Sequence, residues 1–272
     1  MKQLKAFFRV TVVALSLFVA FGTASAQESS STTLQRIAKT ETLKVGMTGT
    51  QPPFNMTNRG GKVIGMDVDL AGLLAVAMGV KLEIVELPFA ELLPALETGK
   101  VDLVVSGMTA TLDRNMRVAF VGPYYLSGMS ILTTSEKLAQ AQSAAELNES
   151  DIRISAMRGS TSEQFVKAML PKAKYKAAKN HEEAVQMLSE GKIGAVVADA
   201  PVAALTVLRN PEAGFVVSEP LTIEPIGIAV APGDPLLVNL VSNYMAALAA
   251  TGALEALTAK WFGNAAWMAQ LP

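Results

Sequence analysis

The feature that most constrains this chain is the regular alternation of short apolar strands with amphipathic helices. Residues 43–47 read as a strand, and 67–78 (DVDLAGLLAVAM) carry apolar residues at helical spacing up to Gly79, a C-terminal cap. Residues 81–87 alternate as a strand, 89–97 are helical, and 101–106 form a mostly apolar run suited to a buried parallel strand. The pattern then returns, with a strand at 152–156, helices at 162–170 and 182–188, and a strand at 193–198. Parallel strands need crossover helices, so the alternation predicts an α/β fold whose sheets are mainly parallel and flanked by helices.

One internal comparison goes further. Gly99-Lys100-Val101-Asp102-Leu103-Val104-Val105-Ser106-Gly107 aligns with Gly191-Lys192-Ile193-Gly194-Ala195-Val196-Val197-Ala198-Asp199, an offset of 92 residues. Each copy supplies a helix end, a Gly cap, a Lys, a buried strand and a loop at the strand's carboxyl end. Chains of this class reuse such grammar, so coincidence is one explanation, and two similar lobes are the other. Ligands of open α/β sheets sit beyond the carboxyl ends of the strands, so facing lobes would hold a ligand between them.

Composition narrows the chemistry. The chain has no cysteine, which excludes disulfides, thiolate catalysis and Cys-ligated metals. Its one histidine, His181, has Val at position 185, so there is no zincin helix, and it reads as a solvated residue at a helix entry. No Gly-x-Ser-x-Gly elbow, phosphate loop or Gly-x-Gly-x-x-Gly fingerprint occurs. We therefore expect no catalytic residues, no metal and no cofactor. A net charge of −1, with no block of Lys or Arg after residue 10, gives no footprint for nucleic acid.

The first 26 residues form a separate object. Lys2, Lys5 and Arg9 precede an apolar run over 10–21 and a small-residue site, Ala24-Ser25-Ala26. Twelve apolar residues fall short of the roughly 20 needed to span a bilayer, so the segment reads as a secretory signal cleaved near Ala26. No Cys follows for a lipid anchor. The expected product is soluble, exported to the periplasm and not stably inserted in a membrane.

Three segments carry candidate binding chemistry. In 106–114, Gly107 frees the backbone for close approach, Thr109 and Thr111 offer hydroxyls, and Arg114 presents a planar fork suited to a carboxylate. Arg114 could equally pair with a surface acid. The segment Arg158-Gly159-Ser160-Thr161-Ser162-Glu163 opens a helix with a capping box, whose free N–H groups can hold an anion or simply be capped. Asp199 ends an apolar run where a lone carboxylate is costly, so it either seeks an ammonium group or caps the helix beginning at Ala200-Pro201. Taken together, Arg114 and Asp199 match the two ends of an α-amino acid zwitterion.

At this point the sequence resembles the periplasmic amino-acid-binding proteins of ABC importers, within the type II, family 3 solute-binding proteins. The likeness runs from about 43 to 263 and rests on Pro52-Pro53-Phe54, Gly65-Met66-Asp67-Val68-Asp69-Leu70, Leu93-Pro94-Ala95-Leu96, Ser106 to Arg114, Gly122-Pro123-Tyr124-Tyr125, Gly159 to Glu163, Asp199-Ala200-Pro201 and Lys260-Trp261-Phe262-Gly263. The resemblance implies two α/β lobes joined by two hinge strands: 27–123 and 227–272 in the first lobe, 129–221 in the second, hinges at 124–128 and 222–226. It further implies that Arg114, Thr109 and the Thr161 amide hold the α-carboxylate. Asp199, the Gly107 carbonyl and the Thr109 hydroxyl would take the ammonium group, and Phe89 would pack on the ligand side chain. Thr48, Gln51, Phe54, Ser106 and Ser160 complete the expected ligand-binding set. Gln51 stands where relatives often carry an aromatic residue, and Thr48 where binders of cationic ligands often carry Asp. That predicts a neutral amino acid, bound by a monomer that delivers it to a membrane permease. The competing readings are a periplasmic cyclohexadienyl or arogenate dehydratase on the same scaffold, disfavoured because no carboxylate follows Asp199 in 200–203, and a sensory module.

Overall fold

The structure, a computed structural model, describes residues 31–141 and 143–272. The leader expected over 1–26 lies outside the described residues. Two five-stranded sheets flanked by helices form two lobes. In the first, Lys81–Glu86, Thr42–Met47 and Leu103–Val104 run parallel, Glu224–Val230 enters in reverse, and Ala119–Ser127 forms the edge. In the second, Lys174–Ala178, Arg153–Met157 and Ala195–Asp199 run parallel, Met129–Thr133 is reversed, and Val216–Val217 forms the edge. Four of five strands thus point one way in each sheet, and the single reversed strand makes both antiparallel pairings.

The two copies of the 92-residue repeat occupy the same place, third in each sheet. In each lobe the reversed fourth strand belongs to a stretch of chain that crosses between lobes. Ala119–Ser127 leaves the first sheet and passes through Gly128 into Met129–Thr133. The return crossing runs into Glu224–Val230, and the two crossings pair with each other at Glu224 with Ser127 and Ile226 with Tyr125.

Burial explains the helices. Met66–Met78 keeps Met66, Leu70 and Leu74 essentially inaccessible against Leu43, Val45 and Leu103. Each such side chain contributes about 1.5–3 kcal/mol. Gly79 closes the helix in the left-handed region at φ 69°, as the sequence predicts. At the other end, a Cβ on Gly65 (φ 139°) would lie 2.1 Å from the Phe54 carbonyl oxygen, so only glycine fits. Phe89–Glu97 forms where its pattern places it, and Thr161–Met169, His181–Ser189 and Ala200–Arg209 lie within a residue of expectation.

The strand expected over 101–106 shrinks to Leu103–Val104. At its two ends, side chains replace ladder acceptors: Asp102 Oδ2 takes the Lys44 N–H at 2.7 Å and Ser106 Oγ takes the Thr48 N–H at 3.1 Å. Arg36 adds an ion pair to Asp102. Two features lie outside the alternation. A three-stranded meander, Thr50–Gln51, Asn55–Thr57 and Val63–Ile64, sits at the top of the first lobe. The C-terminal helices Pro235–Ala250 and Ala253–Phe262 bury Leu237, Val241 and Trp261 in the same core. Lys260 Nζ and Trp261 Nε1 both donate to Asp69 Oδ2, at 2.6 and 2.7 Å, tying the tail to helix Met66–Met78.

Candidate functional site

The site grows from the loop that follows Leu103–Val104. Gly107 (φ 53°) turns the chain, and a Cβ there would press the Phe54 ring at 3.3 Å. Its N–H donates to Asp67 Oδ2 at 2.9 Å and to the Tyr124 hydroxyl at 3.2 Å. Asp67 is fully buried and also accepts from Tyr124 Oη and Asn55 Nδ2, both at 2.7 Å. Burial lifts its carboxyl to about 6 despite these three donors, which pull the other way. Asn55 Oδ1 in turn accepts from Thr48 Oγ1 and Gly49 N, each at 2.8 Å. Gln51 Oε1 and Ser106 Oγ join the same network. A buried polar network satisfied this completely is rigid, and it fixes the floor on which Gly107 and Thr109 stand.

Arg114 rises from this floor and is itself only 5% exposed. Thr111 caps the short helix Leu112–Asn115 by accepting from Arg114 N, so its hydroxyl is committed there. The guanidinium donates from Nη1 to the Thr109 carbonyl at 2.8 Å and from Nη2 to the Gly159 carbonyl at 3.1 Å, and stands 5.6 Å over the Phe89 ring. No carboxylate among the described residues lies within ion-pair distance, so the surface-acid alternative is not realised. Burial lowers the arginine's affinity for its proton, opposed by the charges of Glu224, Asp199 and Asp113.

The contact with Gly159 reaches across to the second lobe. There Ser160 caps helix Thr161–Met169 by accepting from Glu163 N at 3.1 Å, while Glu163 Oε2 accepts from Gly159 N at 2.6 Å, one residue before the N-cap N–H that a capping box would use. Gly159 (φ 79°) lies so close to the first lobe that a Cβ would meet Ala90 Cα and Cβ at 2.9 Å. The lobes are therefore in contact. Between them is a narrow space of about 20 Å³, lined by Gln51 from the first lobe and Met157, Ser160, His181, Asp199 and Val202 from the second. That is room for about one water, so an organic ligand enters only when the lobes part. A wider depression of about 850 Å³ on the second lobe, between Glu136 and Leu221, is lined by neither Arg114 nor Asp199.

Asp199 stands at the N-cap of helix Ala200–Arg209, yet its side chain makes no capping bond. The position matches the cap alternative, but the carboxylate remains uncommitted. Burial first, then the charge of Glu224, push it up to about 7, with Arg114 opposing. Glu224 was not anticipated. It is 6% exposed, and Oε2 is buried without a hydrogen-bond partner.

Of the expected residues, Gln51, Ser160 and Asp199 line the inter-lobe space, Thr109 and Phe89 contact Arg114, and Gly107 belongs to the network around Asp67. Thr48 and Ser106 are committed to the network beneath, although Thr48 keeps 8% exposure. Thr161 is the first residue of its helix and buried. Phe54 is a correction: it is wholly buried in the first core, where its ring packs edge-on to Tyr125 and Phe262 at 5.4 and 5.3 Å. His181 is another. It begins helix His181–Ser189 as expected but is buried, with Nε2 2.8 Å from Thr206 Oγ1. Burial drops it to about 4, so the ring is buried and neutral rather than solvated. The Thr206 hydroxyl donates to Val202 O, which assigns the Nε2 proton to the His181–Thr206 bond.

With this geometry in hand, the relatives are informative. Residues 43–264 match the bacterial extracellular solute-binding proteins, family 3. ABC transporter arginine-binding protein 1 of Escherichia coli is 28% identical over 228 residues, covering 82% of this chain and 91% of that protein. Cyclohexadienyl dehydratase of Pseudomonas aeruginosa is 29% identical over 205 residues, covering 75% and 76%. The crystal structure of an ancestral amino acid-binding protein, a precursor of cyclohexadienyl dehydratase, superposes with a TM-score of 0.78 at 39% identity, covering 85% of this chain and 99% of that one. With two lobes, a shared cleft and a match over most of its length, this chain belongs to the bacterial extracellular solute-binding proteins of family 3.

Proposed function

We propose that this protein captures an α-amino acid between its lobes in the periplasm, after loss of a leader near Ala26, and delivers it to an ABC-importer permease. The observation that carries this is that Arg114 reaches the second lobe at Gly159 while Asp199 lines the inter-lobe space, neither having a counter-ion within 4 Å among the described residues. Arg114 commits two N–H groups to backbone carbonyls and has three left for a carboxylate. Asp199 accepts from the ammonium group, with the Gly107 carbonyl and Thr109 hydroxyl beside it. Because the two charges sit on different lobes, a zwitterion bridges them only when the lobes close, and that differential affinity drives closure about the crossings at 124–128 and 222–226.

A thermal-shift screen of the exported form against the standard amino acids, prephenate and arogenate tests this. A cognate amino acid at 100 times its Kd stabilises the protein by about 2.7 kcal/mol, and Arg114→Ala abolishes that gain. Stabilisation that survives the substitution refutes the clamp. A second reading draws on the 29% identity to cyclohexadienyl dehydratase of Pseudomonas aeruginosa, in which case Asp199, pushed up to about 7 chiefly by burial, would be the proton donor. Conversion of prephenate to phenylpyruvate would replace binding with catalysis.

A further inference from the structure

We infer that Leu205 is a positioning residue for the cleft: it seats the helix that begins beside Asp199 in the apolar core of the first lobe, and so sets how tightly the lobes hold a ligand without touching it. The inference rests on the α-amino-acid reading above. Helix Ala200–Arg209 turns one apolar side to its own lobe, where Ala203 is buried and Val207 packs against the core around Leu132 and Phe215. A second side, Pro201, Ala204, Leu205 and Leu208, repeats at the three- and four-residue spacing of a helix face. Leu205, only 7% exposed, joins the core of the first lobe together with Val202. A helix of the second lobe thus carries an apolar face that only the first lobe covers.

The receiving surface is fixed. Across the seam stand Pro53, Tyr125, Trp261, Phe262 and Trp267. Tyr125 and Phe262 stack at 4.1 Å, and Trp267 Nε1 donates to Trp261 O at 3.1 Å. The residues that follow are held from both lobes: Arg59 N donates to Gln270 O at 2.9 Å, and Arg209 Nη2, at the end of the helix, donates to Pro272 O at 3.1 Å. The seating is incomplete, since a groove of about 330 Å³ remains along the seam and Leu208 stays 68% exposed. Leu205 lies about 9 Å along the helix axis from Asp199 and does not line the space that Asp199 lines, so it acts through the helix. When the lobes part, Leu205 leaves the first core and meets water, so its burial weights the equilibrium towards closure. The loss of that burial shows as expansion of the ligand-free protein if the closed form already predominates there, and as weaker binding if the open form does.

Two measurements on the exported protein read both cases: small-angle scattering without ligand, and titration with an equimolar mixture of the standard amino acids, followed by the emission of Trp261 and Trp267. Leu205→Ala should enlarge the ligand-free radius of gyration or raise the half-saturating concentration at least about ten-fold. Leu208→Ala, the same change on the same helix, should leave the radius unaltered and the concentration within about three-fold. Leu205→Met, which nearly conserves volume, should behave as the unaltered protein. Leu205→Ala without effect on either quantity, or Leu208→Ala with an equal effect, overturns the inference and leaves the α-amino-acid reading standing. If Leu205→Ala does not fold, Leu205→Val decides by the same two readings, with a shift of about three-fold expected and none refuting. No response of the unaltered protein to the mixture, in emission or in melting temperature, removes both readings.

Discussion

Replacing Gly159 with alanine should separate closure from folding. The new Cβ would meet Ala90 Cα and Cβ at 2.9 Å, and ordinary contact begins near 3.4 Å, so the lobes must part locally by about 0.5 Å. The Arg114 Nη2 to Gly159 O bond, now 3.1 Å, would stretch to about 3.6 Å and cease to be a hydrogen bond. A bond from a charged donor is worth about 1.5–3 kcal/mol, which translates into a ten- to hundred-fold loss of ligand affinity. The substitution also places a side chain at φ 79°, costing about 1–2 kcal/mol whether the lobes are open or closed. Gly191→Ala is the control, because Gly191 has φ 66° and nothing within 4 Å of its Cβ. Both variants should melt a few degrees lower without ligand, while only Gly159→Ala loses affinity by titration and contracts less on ligand addition in small-angle scattering. Equal ligand affinity in the two variants would refute the reasoning that crowding between Gly159 and Ala90 opposes closure.

Further expectations concern the buried acids. Asp199 has a folded pKa of about 7 against 3.8 unfolded, so its contribution is fully present below pH 3.8 and is lost as pH rises through 7. Asp199→Asn should therefore stabilise the ligand-free protein at pH 8 by up to about 4 kcal/mol in chemical denaturation, with little effect at pH 4. Ligand affinity has the opposite sense, falling about ten-fold per pH unit below 7 in the unaltered protein, because the ammonium group needs the ionised carboxylate. Tyr124→Phe removes the donor to Asp67 Oδ1 and an acceptor for Gly107 N, and should cost about 1–3 kcal/mol in urea unfolding. The same variant should raise the Asp67 titration seen by carboxyl NMR above its present value of about 6, and an unchanged midpoint would show that burial alone sets it.

The lobes were legible because their parallel strands are continuous apolar runs and their helices end at glycines, signals that depend only on neighbouring residues. The repeat at 99–107 and 191–199 was legible for the same reason, and both copies take the third place in their sheets. The strands at 119–127, 129–133 and 224–230 were harder to read, since pairings such as Thr133 with Ala195 and Ala119 with Val230 span 62 to 111 residues and no local period announces them. The site divides along similar lines. Arg114 and Asp199 stood out as charges following apolar runs. Glu224 gave the same signal, an acid within the apolar run LTIEPIGIAV, but its position against Arg114 depends on the return crossing. Asp67 carried a signal too, an acid in the first turn of a strongly apolar helix, yet its partners Asn55, Gly107 and Tyr124 come from three other segments. His181 misled because a lone polar residue at a helix entry is usually wet, whereas here Thr206 on the next helix offers it a partner below the surface.

The reversed fourth strand of each sheet has one more implication. A piece of polypeptide stopping before residue 129 would have the first four strands of the first lobe's sheet in sequence but would lack Glu224–Val230, the strand that joins Leu103–Val104 to Ala119–Ser127. It would carry two raw edges where one seam belongs, and unpaired edges invite association with other chains. The first lobe is thus not an autonomous module when cut there, whereas the five strands of the second lobe all fall within one unbroken stretch, 129–217, so it is the second lobe that an exchange between relatives can move as one piece.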